Sequence, residues 1–387
     1  MRRRPGLRFA ALYFLMLLPV GLQTPYLFLF FQRRGLSDSQ LGTLASVSPM
    51  VTLLVPPLWG MIADRLGDRR RLLALLLASS AVVFPCIIGV TSFLGTLVLM
   101  TLFSAFSMPP NALADAITLE HVEKTGEDYG RMRLWGSVGF AAPLLAMGLV
   151  LKPTSAGSPQ ALYPIFVGYA IFRLLAAGWS WMLPESSGPA AGRLDLRAAR
   201  AFASPRFLCL ALCALIGWGA MSSYYLYFSI YLDRIGVADN AKGYFWAIAV
   251  AAEIVMMFCV GGLIRRIGVK WTFTIGIAGV ALRLFAYSLL HQPLYVAPVQ
   301  CLHALTFAAF SVSSITFVSR LVPPELRASG QTLWMALTSG LGAALGSKLA
   351  GAAVSALGLA SMYRLFGAAA ALAMVIAVLG VREPPAR

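Results

Sequence analysis

Five ionisable side chains sit where this chain has least room for charge. Glu253, Arg283 and His303 are each flanked by long hydrophobic runs. An acid, a guanidinium and an imidazole brought to one depth in a membrane can take up, hold and release a proton. Asp115 and Arg133 form a second set. A guanidinium can fork onto a carboxylate or a pair of hydroxyls, and the acid can hold it in place when no solute is bound. Either set can also be read as static, the trio pinning three helices together and the pair tying a loop to its helices. Arg173 and Lys348 lie in apolar runs as well; Lys348 is close enough to a span end to snorkel, and Arg173 has no evident acidic partner. Together the set holds two acids, Asp115 and Glu253, against four bases, Arg133, Arg173, Arg283 and Lys348, a balance that favours an anionic solute.

The elements that must position these groups are membrane helices. Hydrophobic residues make up 59% of the 387, charged residues 12%, and the mean hydropathy is +0.78. That is more apolar surface than a soluble core of this size can hide. Backbone groups in lipid are satisfied within their own segment, so each apolar run of about 20 residues is expected to be helical. Twelve runs are expected, over 9–31, 40–62, 72–91, 94–120, 132–151, 162–183, 207–232, 242–264, 271–290, 294–318, 329–352 and 361–381. Glu253, Arg283 and His303 then fall about midway along the eighth, ninth and tenth runs. The start, MRRRPGLR before a long apolar run, is expected to be a retained first helix.

The net charge of +16 points to nucleic acid in a soluble protein, but here the bases gather in alternate short loops, among them Arg65, Arg69, Arg70, Arg71, Arg265, Arg266 and Lys270. This is the positive-inside pattern, and it places both termini in the cytoplasm. The five cysteines have no ligand-like spacing, so neither a metal site nor a disulfide framework is expected. No activated nucleophile or phosphate-cradling loop stands out, which argues against an enzyme. Short loops without an N-x-[ST] sequon fit a bacterial inner membrane.

The chain also repeats itself. GMIADRLGDRRRL from Gly60 returns as GGLIRRIGVKWTF from Gly261, an offset of 201 residues, and the same shift pairs Tyr26 with Tyr227, Arg33 with Arg234, Asp38 with Asp239 and Gly42 with Gly243. The expectation is an all-α membrane protein with twelve transmembrane helices in two pseudo-symmetric six-helix bundles, 1–183 and 207–387, joined by a cytoplasmic linker over 184–206. Gln23 and Tyr26, beside Pro25, are placed to face a cavity, with Tyr227 as their repeat partner.

Gly60, Asp64, Arg65, Gly67, Arg69 and Arg70 resemble the loop motif between the second and third helices of the major facilitator superfamily. The resemblance implies that Asp64 and Arg65 help close a cytoplasmic gate. Arg265 stands where the second copy would have the acid. Tyr129 to Gly139 resembles the fifth-helix signature of the phenylpropionate permease, lactose permease and nucleoside-proton symporter group. That resemblance implies solute binding by Asp115 and Arg133 and coupling by Arg283 and His303. Glu253 lies one helical turn from the lactose permease group's eighth-helix acid. Thr306 takes the place of its proton-carrying Glu, and Phe140 that of a sugar-stacking Trp.

The function expected from these readings is proton-coupled symport of a small organic solute by alternating access. Glu253, Arg283 and His303 serve coupling, and Asp115, Arg133, Gln23, Tyr26 and Tyr227 serve solute binding. The expected solute is an aromatic or aliphatic carboxylate. A sugar or nucleoside, drug or metabolite efflux, and a receptor that binds without transporting are the alternatives. The protein is expected to act as a monomer among membrane lipids, with no nucleic-acid partner and no cofactor beyond the proton gradient.

Overall fold

The computed structural model describes residues 5–55, 59, 62, 67–152, 157–186 and 205–383. Gly60, Asp64 and Arg65 of the loop motif, and residues 187–204 of the expected linker, lie outside the described residues. All regular structure described is helical: α1 Pro5–Gln23, α2 Leu27–Arg33, α3 Asp38–Leu54, α4 Arg69–Cys86, α5 Phe93–Ser107, α6 Pro109–Thr125, α7 Tyr129–Val150, α8 Tyr163–Ser180, α9 Pro205–Arg234, α10 Asp239–Leu289, α11 Pro293–Gln300, α12 Phe310–Leu321, α13 Arg327–Met335, α14 Ala343–Leu357 and α15 Leu359–Gly380. Among the described residues, ten helices are long and apolar enough to cross a membrane.

Their ends follow local chemistry. Asp68 accepts from the Arg70 N–H and opens α4, and Ser92 accepts from Gly95 and opens α5. Gly126, at φ 71°, closes α6, and Asp128 accepts from Gly130 and Arg131 to open α7. That tight reversal sets Asp115 and Arg133 on adjacent antiparallel helices. Pro109 has no N–H for the carbonyl of Ala105, and the Trp59 indole donates to it instead at 3.0 Å. Over its 51 residues α10 is interrupted at Gly268 (φ 87°, ψ 166°), a conformation that costs a glycine little. Glu383, beyond α15, accepts from the N–H groups of Val269 and Lys270 at 2.7 and 2.8 Å, just past this interruption.

Contacts divide the chain into two compact units. The first comprises Met1–Leu36, Met50–Gly192 and Ala238–Tyr244; the second comprises Ser37–Pro49, Arg193–Val237 and Phe245–Arg387. In the first, α1 packs on α7 and α8, and α4 on α8. Its core gathers Phe9, Leu12, Tyr13, Met16, Leu73 and Leu77 with Ala114 and Ile117. In the second, α9 packs on α14 and α15.

The residues paired by the repeat do equivalent work in each unit. In the first, the buried Tyr26 hydroxyl donates to the carbonyl of Asp239 (3.2 Å), and a Cβ on Gly243 would meet the Leu144 carbonyl at 2.1 Å. In the second, the Tyr227 hydroxyl donates to the carbonyl of Asp38 (3.3 Å), and a Cβ on Gly42 would meet the Ser347 carbonyl at 2.7 Å. Each pair of glycine and tyrosine seats the start of one helix against a neighbour's backbone.

Candidate functional site

In the second unit, α11 ends irregularly. Pro298 lies within it, tight i→i+3 bonds join Cys301 to Pro298 and Leu302 to Val299, and the chain then widens into a π turn over Ala304–Ala309. Such turns depart from the α period and re-aim side chains. Here they direct Gln300, His303 and Thr306, spaced by three, at one guanidinium. Arg283 of α10 donates from Nε to the Tyr287 hydroxyl (2.8 Å) and from one amino group to His303 Nδ1 (2.9 Å) and Thr306 Oγ1 (3.3 Å). Its other amino group donates to Gln300 Oε1, which also accepts from the Tyr287 hydroxyl at 2.8 Å. The guanidinium carbon stands 3.7 Å from the centre of the Tyr224 ring. Arg283 is 2% exposed, so its charge is held by neutral acceptors and an aromatic face, which offset a burial cost of several kcal/mol.

Glu253 completes the group. Its Oε2 lies 3.4 Å from His303 Nε2, and its side chain is 23% exposed where that of His303 is 5%. The structure therefore brings together the three residues singled out for coupling, in the order Glu253, His303, Arg283.

In the first unit, Asp115 Oδ1 accepts from the Tyr13 hydroxyl (2.6 Å) and the Tyr129 hydroxyl (3.0 Å), and the Nε of Arg133 stands 3.9 Å away. Tyr13 also reaches Thr118 at 3.1 Å, and the Arg133 guanidinium lies 5.3 Å from the Tyr13 ring centre. Both charged side chains are more than a third exposed, unlike Arg283.

The other candidates separate. Tyr26 and Tyr227 are buried with their hydroxyls committed to backbone, and Gln23 is half-buried with no side-chain hydrogen bond among the described residues. None of the three is brought to Asp115 and Arg133 by a described contact. Arg173 is 2% exposed and meets no acid among the described residues. It donates to the carbonyls of Met16 (2.8 Å) and Ser107 (3.1 Å) and to Ser80 Oγ (3.2 Å), bracketing α1, α4, α5 and α8. Lys348 donates to Thr43 Oγ1. Of the loop motif, Gly67 has φ 66°, Arg69 bonds through its N–H to the Ser186 carbonyl (3.0 Å), and Arg70 pairs with Asp68 (3.2 Å) and Glu185 (2.9 Å).

Gln300, Tyr287, Tyr13 and Tyr129 were not among the residues expected to line a site. The first two carried a usable signal, since Gln300 is three residues before His303 and Tyr287 four after Arg283, each polar within an apolar run. Tyr13, 102 residues from Asp115, carried none.

Residues 7–365 match the MFS_1 like family. The chain belongs to that family. It is an integral membrane transporter of the major facilitator superfamily and not an enzyme. Among curated relatives, the maltose permease of Geobacillus stearothermophilus is 28% identical over 342 residues, covering 87% of this chain and 84% of the permease. The "Probable 3-phenylpropionic acid transporter" of Escherichia coli (strain K12) is 26% identical over 316 residues, covering 79% and 80%. The crystal structure of a point mutant of the nucleoside transporter NupG superposes with a TM-score of 0.88 at 18% identity, covering 98% of this chain and all of the other. Relatives within the superfamily thus carry names of sugar, aromatic-acid and nucleoside transporters.

Proposed function

We propose that the protein is a proton-coupled symporter of a small polyhydroxylated solute, a sugar or a nucleoside, working by alternating access. The observation that carries the coupling half is the run Glu253, His303, Arg283, in which a partly exposed acid faces a buried base through one imidazole. Glu253 takes up and releases the proton, and Asp115 with Arg133 holds the solute.

The carboxylate expected from the excess of bases is set aside on burial. Arg173 and Arg283 are each 2% exposed with every guanidinium nitrogen hydrogen-bonded, and the exposed Lys348 gives one of its N–H groups to Thr43. Of the four, that leaves Arg133 and the exposed Lys348 open to a solute, and an acid stands beside Arg133. A carboxylate acceptor next to a fork of donors suits adjacent hydroxyls, which need one partner of each kind. The sugar and nucleoside transporters among the relatives agree with this choice.

The architecture in this reading is twelve spans in two six-helix bundles, 1–183 and 207–387, with the linker 184–206 and both termini on the cytoplasmic side of a bacterial inner membrane. In support, the 51 residues of α10 extend about 75 Å as helix, more than twice a bilayer core of about 30 Å, and break at Gly268. They count as two spans. The 17 residues of α3 supply the twelfth. A monomer driven by the proton gradient, without cofactor, completes the proposal.

The test is uptake of radiolabelled maltose, uridine and 3-phenylpropionate by the purified protein in proteoliposomes with an imposed inside-alkaline gradient. Gradient-dependent accumulation of maltose or uridine is expected. Accumulation of 3-phenylpropionate alone would overturn the solute class, and uptake indifferent to the gradient would overturn the coupling.

A further inference from the structure

A guanidinium donates at every nitrogen and accepts nothing. The 2.9 Å contact from Arg283 to His303 Nδ1 therefore requires a lone pair on Nδ1, and the proton of the neutral ring then sits on Nε2. Nε2 is the nitrogen 3.4 Å from Glu253. A second proton could enter the ring only at Nδ1, where it would confront an arginine N–H and bring two positive groups together. The charged and titratable groups facing the ring are Glu253 and Arg283 of α10 and, at ring-centre distances of 6.0 and 6.2 Å, Tyr224 and Tyr225 of α9.

Gln300 holds Arg283 in that position. It is fully buried, and its Oε1 gathers both an Arg283 amino group and the Tyr287 hydroxyl, the same hydroxyl that accepts from Arg283 Nε. The amide is turned so that its oxygen meets the donors, and its Nε2 is left buried with no hydrogen bond within 3.5 Å among the described residues. An orphaned buried donor is costly, so something must hold the amide this way round. The opposite turn would aim an NH2 group at two donors, so the amide oxygen is what this position supplies.

We infer that Gln300, acting through Arg283, is a positioning residue that locks His303 with its proton on Nε2, so that the ring donates to Glu253 and takes on no second proton. This deepens the coupling proposed above and rests on it only for the transport consequence. The tautomer itself is a separate claim. In transport, Glu253 is then the sole proton carrier, and His303 serves as a fixed bridge between it and the buried cation.

Two measurements on the full-length protein test this. The chain has three histidines, His121, His291 and His303, so 15N-histidine spectra of wild type and H303Q in lipid identify the His303 signals by difference. A neutral ring protonated at Nε2 is expected from about pH 5.5 to 8, where an ordinary histidine titrates. A doubly protonated ring in that range, or a proton on Nδ1, overturns the inference whatever the transport assay shows. Transport is read at Gln300, in proteoliposomes supplied with maltose or uridine. Q300A should lose accumulation while keeping solute exchange with unchanged KM, and Q300E, which restores an acceptor oxygen, should recover it. A purely structural role for Gln300 would lower exchange and accumulation together. No gradient-driven accumulation by wild type would defeat the coupling proposal while leaving the spectra to decide the tautomer.

Discussion

His303 takes a hydrogen bond on Nδ1 from Arg283 at 2.9 Å and turns its Nε2 to Glu253 at 3.4 Å, so one ring stands between a buried base and a partly exposed acid. The consequence is a division of labour. Arg283 has neutral partners for its N–H groups in Tyr287, Gln300, His303 and Thr306, and Glu253 is not among them. In the proposed coupling, the group that gains and loses the proton is thereby separated from a charge that membrane burial makes costly to leave unpartnered.

The Asp115 cluster makes a prediction about solute affinity. Tyr13 and Tyr129 donate to the same carboxylate oxygen at 2.6 and 3.0 Å, fixing the side chain proposed to receive the solute. Y13F and Y129F should each raise the KM for uptake roughly tenfold, the loss of about 1.5 kcal/mol per hydrogen bond to a charged group, with the accumulation ratio unchanged. Initial-rate uptake against solute concentration checks this. Unchanged KM in both variants would remove Asp115 from the solute site.

Arg173 predicts the opposite separation. Its three bonds hold four helices of the first unit, and no described contact takes it to Asp115 or Arg133. A lysine keeps the charge but cannot span two carbonyls and a hydroxyl. R173K should therefore cost about 2–3 kcal/mol of stability, seen as a melting temperature several degrees lower, with the KM of the remaining folded protein unaltered.

At the interruption of α10, Glu383 satisfies the N–H groups of Val269 and Lys270 and lies 3.9 Å from Arg320. E383A removes a cap and should lower stability by about 1 kcal/mol. G268A should cost more, about 1–3 kcal/mol, because φ is 87° and the new Cβ would sit 3.0 Å from Glu383. Thermal melting of the two variants side by side checks the order.

Much of this was legible in the chain, and the reasons differ from residue to residue. Apolar length alone marks the helices, since lipid forces backbone bonds to close locally, and the rarity of charge in such runs marks Glu253, Arg283, His303, Asp115 and Arg133. The repeat was visible, but what its paired tyrosines touch was not. Tyr26 and Tyr227 look like solute ligands in sequence, and only coordinates reveal that their hydroxyls meet the backbone of Asp239 and Asp38 at helix starts. Arg173 shows the same limit: its partners are carbonyls of Met16 and Ser107, and every residue has a carbonyl, so no pattern of side chains could announce them. The excess of bases counts Arg173 and Arg283 with the rest, and only coordinates show that both are buried.

The most direct test of the account is E253Q in proteoliposomes, read in two ways on one preparation. Glutamine still faces the His303 N–H but can neither gain nor lose a proton. The account predicts that gradient-driven accumulation of maltose or uridine is abolished while exchange of internal for external solute continues at close to the wild-type rate. Accumulation by E253Q equal to wild type would contradict it.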